Sequence, residues 1–385
     1  MNVTKIREDF PILKKYVYLD SACMSLKPRQ VINKINEYYN EYPACSGRSG
    51  HSLSNKINEE VYKTREIIAK FFSTRKENVI FTRNTTEAIN IVANNFKRKN
   101  ILITDKEHNS NLLPWQKNKC NIKVINSKKD NTFDIEDFKN KIKGTDLIAI
   151  NHVANLDGVV NPIKEVIKIA HENKALVLID AAQSAGHSEI NFNKLDIDFM
   201  AFSGHKTLGP SGIGALIGKK ELLEKIEPLN IGGGTVTDSN YNSFKYEDIP
   251  LRFEAGLQDY SGIIGLGEAL NYLKKIGFDD IEKNELKLNK IITEELLSKV
   301  QLIGPEDYKL RSSIFSFNVN KFSALDIAGI LNSSRNICIR AGAHCVHSWF
   351  NKHNLKGSAR ASLYLYNNED DVRIFVEEIK KIIKN

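Results

Sequence analysis

Residues Leu176–Lys206 read LVLIDAAQSAGHSEINFNKLDIDFMAFSGHK, in which two short apolar runs, Leu176 to Asp180 and Phe199 to Ser203, each end on polar residues. Runs of about five aliphatic or aromatic residues, too short and too uniformly apolar for an amphipathic helix, read as strands buried on both faces. The pattern recurs at Val79 to Thr82, Ile101 to Thr104 and Leu147 to Asn151, separated by amphipathic segments such as Ile163 to Glu172. Strands and helices in alternation predict an α/β fold, a largely parallel sheet covered on both faces by helices. Ile213 to Ile217 follows Lys206 after the turn Gly-Pro-Ser-Gly. That is too close for a helical crossover, so this strand should return antiparallel.

Further along, residues from about Ser261 to Lys299 read as long helices leading out of this domain. Strands at Ile314 to Val319, Ile337 to Arg340 and Ala359 to Tyr366, with helices at Ala324 to Leu331 and Asp370 to Ile383, then predict a compact α+β unit. The expected division is a large domain over 17–260 and a second part over 261–385, made of connecting helices and a small domain, with residues 1–16 packing beside it. A chain of 385 residues accommodates one large and one smaller core, and the cleft between them suits a ligand.

Hydrophobic residues at 41% and charged residues at 26% exclude a disordered or fibrous chain. The opening MNVTKIREDFPILKKY has no apolar signal-like core, and no stretch of eighteen apolar residues follows. A cytoplasmic location and no membrane partner are therefore expected. Lys and Arg exceed Asp and Glu by 55 to 47, but runs such as Lys97-Arg98-Lys99 read as solvated faces. Without an aromatic and basic stripe, nucleic acid is not an expected partner. Cysteines 23, 45, 120, 338 and 345 show neither CxxC pairs nor structural zinc spacing, which predicts free thiols, a reducing compartment and no metal. Cys338, between Ile337 and Ile339, reads as core.

In an open parallel sheet the carboxyl ends of the strands converge on one crevice, so polar residues closing successive strands belong together. Asp180 closes one strand and Lys206 follows another. An amine and a carboxylate are what pyridoxal phosphate requires, the first to hold its aldehyde and the second to keep its ring nitrogen protonated. Taken singly, either residue also serves as an ordinary polar strand end. Asn84-Thr85-Thr86-Glu87 opens a helix after the strand ending at Thr82, where free amides and the hydroxyls of Thr85 and Thr86 suit a phosphate. The same residues also make an ordinary helix start. Ser203 and His205 can complete such a cradle, His108 can stack on a ring and relay protons, and Asn155 and Gln183 can bond a ring hydroxyl.

The runs IDAAQSAGH, SGHKTLGPSGIGAL and RFEAGLQDYSGIIGLGEAL, with EHNSNLLPWQ and RAGAHC in matching order and spacing, resemble class V aminotransferase-fold enzymes, specifically the SUF-type cysteine desulfurases. The resemblance extends from Tyr18-Leu19-Asp20-Ser21 to Gly357-Ser358-Ala359-Arg360. It implies a fold type I, pyridoxal-phosphate-dependent homodimer with active sites near the subunit interface. The implied reaction converts L-cysteine to L-alanine and passes sulfur to an acceptor or scaffold protein for iron–sulfur cluster assembly. Selenocysteine lyases, aminotransferases and epimerases are the alternatives on this fold.

By position, the resemblance implies Lys206 as the cofactor-holding amine, Asp180 as the partner of the ring nitrogen, and His108 as the stacking histidine. It implies Gln183 and Asn155 at the ring hydroxyl, and Thr86, Ser203 and His205 at the phosphate. Cys345 matches the catalytic cysteine and Arg360 the arginine for the substrate carboxylate; Arg340, also on the substrate side, His344 or the bound substrate's own groups can help activate the thiol. His51 falls near the family's substrate-side histidine position, and Asn155 also falls on the substrate side. Two departures stand out: Leu257 replaces a threonine that contributes to the neighbouring subunit's phosphate site, and Ala343 with Val346-His347-Ser348-Trp349 alters the surroundings of Cys345.

Overall fold

The computed structural model describes residues 1–47 and 49–384. After a short entering strand, β1 (Val17–Tyr18), come β2 (Val79–Thr82), β3 (Asn100–Thr104), β4 (Asn121–Ile125), β5 (Leu147–Asn151), β6 (Leu176–Asp180), β7 (Phe199–Ser203) and β8 (Gly214–Gly218). These last seven form one sheet in the order β2-β8-β7-β6-β5-β3-β4. The neighbours from β7 to β4 are parallel, and β8 runs antiparallel to both β7 and β2. Alternate residues face two separate cores. Ile148, Ile150, Val177, Ile179, Met200 and Phe202 lie in one, and Leu147, Ala149, Leu178, Phe199 and Ala201 in the other. Burial on both faces explains why these strands are continuously apolar.

Edge strand β4 has no apolar run in the sequence, because only one of its sides is paired and only Ile125 is fully buried. A polar ribbon, β9 (Val236–Ser239) with β10 (Phe244–Tyr246), is likewise largely exposed. The small domain carries β11 (Gln301–Ile303), β12 (Ile314–Asn318), β13 (Ile337–Cys338), β14 (Arg340–Gly342) and β15 (Ser358–Ser362). Its antiparallel sheet runs β11-β12-β15-β14.

Several expectations shift. The strand read over Ile337 to Arg340 is two pieces: β13 pairs in parallel with β1, while β14 pairs with β15. Cys338 is only half-buried, since the β1–β13 pair has no further strand beside it. The run read to Tyr366 ends as a strand at Ser362; Tyr364 and Tyr366 stay buried but their ring hydroxyls bond Gly186 O and Ser21 Oγ, across to the other domain and to the β1 segment. Helix Tyr260–Ile276 buries Ile263, Leu266, Leu270 and Leu273 in the large core, whereas Phe278–Leu296 gives Leu288, Ile292 and Leu296 to the small one. Gly277, with φ of +90, breaks the two helices apart, but Ile281 still lies in the large core, so the passage between cores falls inside the second helix, between Ile281 and Leu288, rather than at 260. β1 belongs with the small domain, where Leu19 is buried. Residues 1–16 clip both parts. Phe10 and Leu13 enter the large core, and Arg7 donates to both carboxylate oxygens of Asp371.

Candidate active site

The carboxyl ends of β2, β5, β6 and β7 open on a cleft of about 230 Å3, closed on the far side by the Ala22–Cys23 segment and by the small domain. Every residue singled out in the sequence for chemistry lines it except His51. His51 instead caps the helix Ser52–Phe71, its Nδ1 accepting the Ser54 amide at 3.2 Å. Within one chain it is not brought to this cleft.

Asp180 ends β6, and its Oδ1 accepts from the Ala182 amide at 2.9 Å, which fixes the carboxylate. Burial raises its pKa, opposed by that amide and by Lys206. Lys206 sits in the short 3₁₀ turn that follows β7. Burial pulls its ammonium down, opposed by Asp180, so the free amine is easier to reach than in water. Among the described residues, its Nζ has no hydrogen-bond partner.

Asn84 caps the helix Thr85–Ala93 by accepting the Glu87 amide at 3.0 Å. The Thr85 amide donates to Ser203 Oγ at 2.8 Å, and the two hydroxyls lie 2.7 Å apart. Thr85 therefore orients Ser203 rather than offering an unengaged hydroxyl. Thr86 Oγ1 meets Ser110 Oγ at 2.7 Å at the same end of the cleft. Gln183 Nε2 donates to Ala22 O at 2.8 Å, leaving its carbonyl oxygen for a ligand.

His108 accepts the Ser110 amide on Nδ1 at 3.1 Å, so the proton of a neutral ring resides on Nε2. Burial, reinforced by the charges of Lys206 and Arg360, holds it neutral, with a pKa pushed down to about 3. Burial likewise lowers His205 to about 4.

Arg360 stands on β15 with 2% of its surface exposed. Its Nη1 donates to Asn155 O at 2.8 Å, its Nη2 lies 3.7 Å from Asp20 Oδ1, and its Nε has no partner among the described residues. A buried guanidinium with an unmatched donor costs about 1–3 kcal/mol until an acceptor arrives. A carboxylate entering the cleft is such an acceptor.

Cys345 lies exposed at the cleft, on a turn where His344 and Cys345 both adopt left-handed φ, +49 and +57, after Gly342 at +115. Two successive non-glycine residues in this region store backbone strain, held by the surroundings. Asn109 donates its amide to Cys345 O at 2.7 Å, Asn155 Nδ2 donates to His344 O at 2.8 Å, and Val346 packs with Trp349 and Phe350. The residues expected to activate the thiol point elsewhere. His344 Nε2 contacts Ser358 Oγ at 2.9 Å and burial holds the ring neutral, its pKa pushed down to about 2. Arg340 donates through Nη1 to Cys23 Sγ at 2.9 Å. Cys23 is a cleft residue to which the sequence reading gave no role, as are Ser110 and Asn151, and its place directly after Asp20-Ser21-Ala22 was the available signal. Leu257 lies outside the cleft, 75% exposed on a separate recess shared with Arg83 and Gln258.

A carboxylate beside an amine, a helix start with clustered hydroxyls, and a buried arginine with a spare donor together define a fold type I site for a phosphorylated aldehyde cofactor and an amino-acid substrate. Residues 17–375 match Aminotransferase class-V, and the chain belongs to that family. Within it, the chain stands among the cysteine desulfurases. A "Probable cysteine desulfurase" of Pyrococcus abyssi is 37% identical over 99% of this chain and 97% of its own. One of Halalkalibacterium halodurans is 38% identical over 99% and 98%. The apo structure of a cysteine desulfurase from Thermococcus onnurineus superposes with a TM-score of 0.95 at 37% identity, covering 99% of this chain and 98% of that one. The Escherichia coli cysteine desulfurase CsdA, in its S-sulfonic acid form, gives 0.91 at 29% identity, covering 100% and 99%.

Proposed function

We propose that this protein is a pyridoxal 5'-phosphate-dependent cysteine desulfurase that converts L-cysteine to L-alanine and keeps the sulfur as a persulfide on Cys345. The observation that carries this reading is one cleft holding Asp180, Lys206 and the buried Arg360 with its Nε unpaired among the described residues, and an exposed cysteine beside them.

The residues fit the cofactor by their donor set. Among the described residues Lys206 Nζ has no competing partner, Asp180 is fixed by the Ala182 amide, and Ser203, His205 and Thr86 cluster where the phosphate would lie. Gln183 and Asn155 would contact the ring hydroxyl, and His108 would lie against the ring. When bound, the cofactor withdraws electrons from the substrate Cα. Lys206, deprotonated readily because it is buried, takes the Cα proton and returns one later. Arg360 holds the substrate carboxylate through paired donors, with Arg340 and Asn155 bordering the substrate. Cys345 attacks the substrate sulfur as a thiolate: the new S–S bond forms as the substrate C–S bond breaks, and the sulfur stays on Cys345.

An exposed persulfide suits transfer to an acceptor or scaffold protein, and iron–sulfur cluster assembly is the process proposed to receive it. A homodimer is proposed, with the Leu257 recess toward the neighbouring subunit and His51 serving the substrate site across that boundary. Among the described residues no helix is long and apolar enough to cross a membrane. The cytoplasm is the proposed location.

Incubating the cofactor-loaded protein with L-cysteine, then measuring alanine and mapping persulfide by mass spectrometry, tests the reading. Alanine with persulfide on Cys345 supports it, and no alanine overturns it. An aminotransferase would instead release pyruvate-type keto acid and have no use for the exposed thiol.

A further inference from the structure

The cleft holds a second thiol, and the assigned chemistry gives it nothing to do. Cys23 lines the same cavity as Cys345 and is half-buried where Cys345 is exposed. It does not fill a core: its Sγ accepts from Arg340 Nη1 at 2.9 Å, so a guanidinium sits against the sulfur. Both thiols are within electrostatic reach of Lys206 and Arg360, which puts them around the same reacting centre. The segment carrying Cys23 is held firmly. The Ala22 amide donates to Ser362 Oγ at 2.9 Å, Ala22 O accepts from Gln183 Nε2, and the Ser25 amide donates to His205 O at 2.9 Å. Arg340 lies at the start of β14, whose far end leads directly into the Cys345 turn.

From this arrangement we infer that Cys23 is a second sulfur carrier, which takes the outer sulfur from the Cys345 persulfide inside the cleft. The inference rests on the desulfurase reading above. The Cys23 thiolate attacks the outer sulfur of the persulfide, the S–S bond to Cys345 breaks, and its electron pair leaves on Cys345 Sγ. The proton lost by Cys23 goes to Cys345. One S–S bond forms as one breaks, so no oxidant or reductant takes part. Cys345 is then free for a second turnover before any acceptor arrives, and the first sulfur waits in the more sheltered position. Arg340 thereby acts through Cys23 rather than on Cys345.

Cofactor-loaded protein is mixed with L-cysteine without acceptor or reductant, the alanine burst is counted, and each cysteine is mapped after alkylation. Wild type should release two alanines per chain in the burst and carry sulfane sulfur on both Cys23 and Cys345. Cys23→Ser, which keeps the size and an acceptor for Arg340, should halve the burst and carry sulfur on Cys345 alone. Cys345→Ser should carry none on Cys23. A wild-type burst of one alanine with Cys23 unmodified overturns the inference and leaves the desulfurase reading standing. Sulfur on Cys23 in Cys345→Ser, or on Cys338 in place of Cys23, overturns it as well. Absence of any alanine overturns the desulfurase reading and this inference with it.

Discussion

Three side chains set the chemistry by position and charge, and each supports a distinct outcome when changed. Lys206→Ala removes the amine that holds the cofactor and moves the Cα proton, so alanine production should fall to background. The phosphate contacts remain, so the purified variant should still carry cofactor, visible as an absorbance band. Arg360→Ala removes the paired donors to the substrate carboxylate, which should weaken binding by on the order of 2 to 4 kcal/mol, read as a rise in KM of about thirty-fold or more. Arg360→Lys keeps the charge but not the planar fork and should recover only part of that loss. Cys345→Ser should still show the spectral change on adding cysteine, because Lys206 and Asp180 are untouched, while releasing no alanine beyond background. Full turnover by that variant would remove Cys345 from the mechanism.

The hairpin β14–β15 and the turn it projects decide where Cys345 stands. Gly357, with φ of +148, faces Gly342 so closely that an added Cβ would lie 2.7 Å from the Gly342 carbonyl carbon. Backbone on both sides leaves nothing that can yield, and φ itself disfavours any L side chain. Gly357→Ala should therefore lower stability by about 1–3 kcal/mol, seen as a lower Tm, and should reduce kcat far more than cofactor occupancy. Equal kcat in a folded variant would show that this contact does not position the turn. The hairpin also shows why an apolar pattern alone misplaced a strand. Ile337 to Arg340 is continuous in sequence, but two different partners claim its halves, β1 for Ile337–Cys338 and β15 for Arg340 onward.

For the whole molecule, burial of imidazoles sets a pH limit. His108, His152, His205 and His344 are held at about 3, 4, 4 and 2, against an ordinary 6.5. Below pH 6.5 the unfolded chain binds these protons and the folded chain does not, so their contribution to stability is complete above 6.5 and is lost as the pH falls. Buried acids with raised pKa, Asp180 and Glu285 among them, act in the opposite sense over the lower part of this range. The separate measurement is NMR of histidine-labelled protein, in which these four rings should keep their neutral shifts from pH 8 to 5. Titration of any of them near 6.5 would place that ring in contact with solvent.

From the apolar pattern six of the seven central strands were legible, because strands buried on both faces must be apolar throughout, and with them the polar residues that emerge together at one edge. Asp180, Lys206, His108, Ser203 and Gln183 were legible for that reason, and Cys345 and Arg360 through resemblance. What paired strands leave exposed was not legible: β4 and the β9–β10 ribbon carry no apolar signal because they bury little. Helical periodicity showed that Tyr260–Ile276 has a buried side but not which core receives it. Contacts between residues hundreds of positions apart were decided only by the tertiary structure. Packing the small domain against the sheet edge sets Arg340, itself still exposed, against Cys23, and takes Arg360 out of water, so that its charge must take Asn155 and Asp20 as the partners within reach.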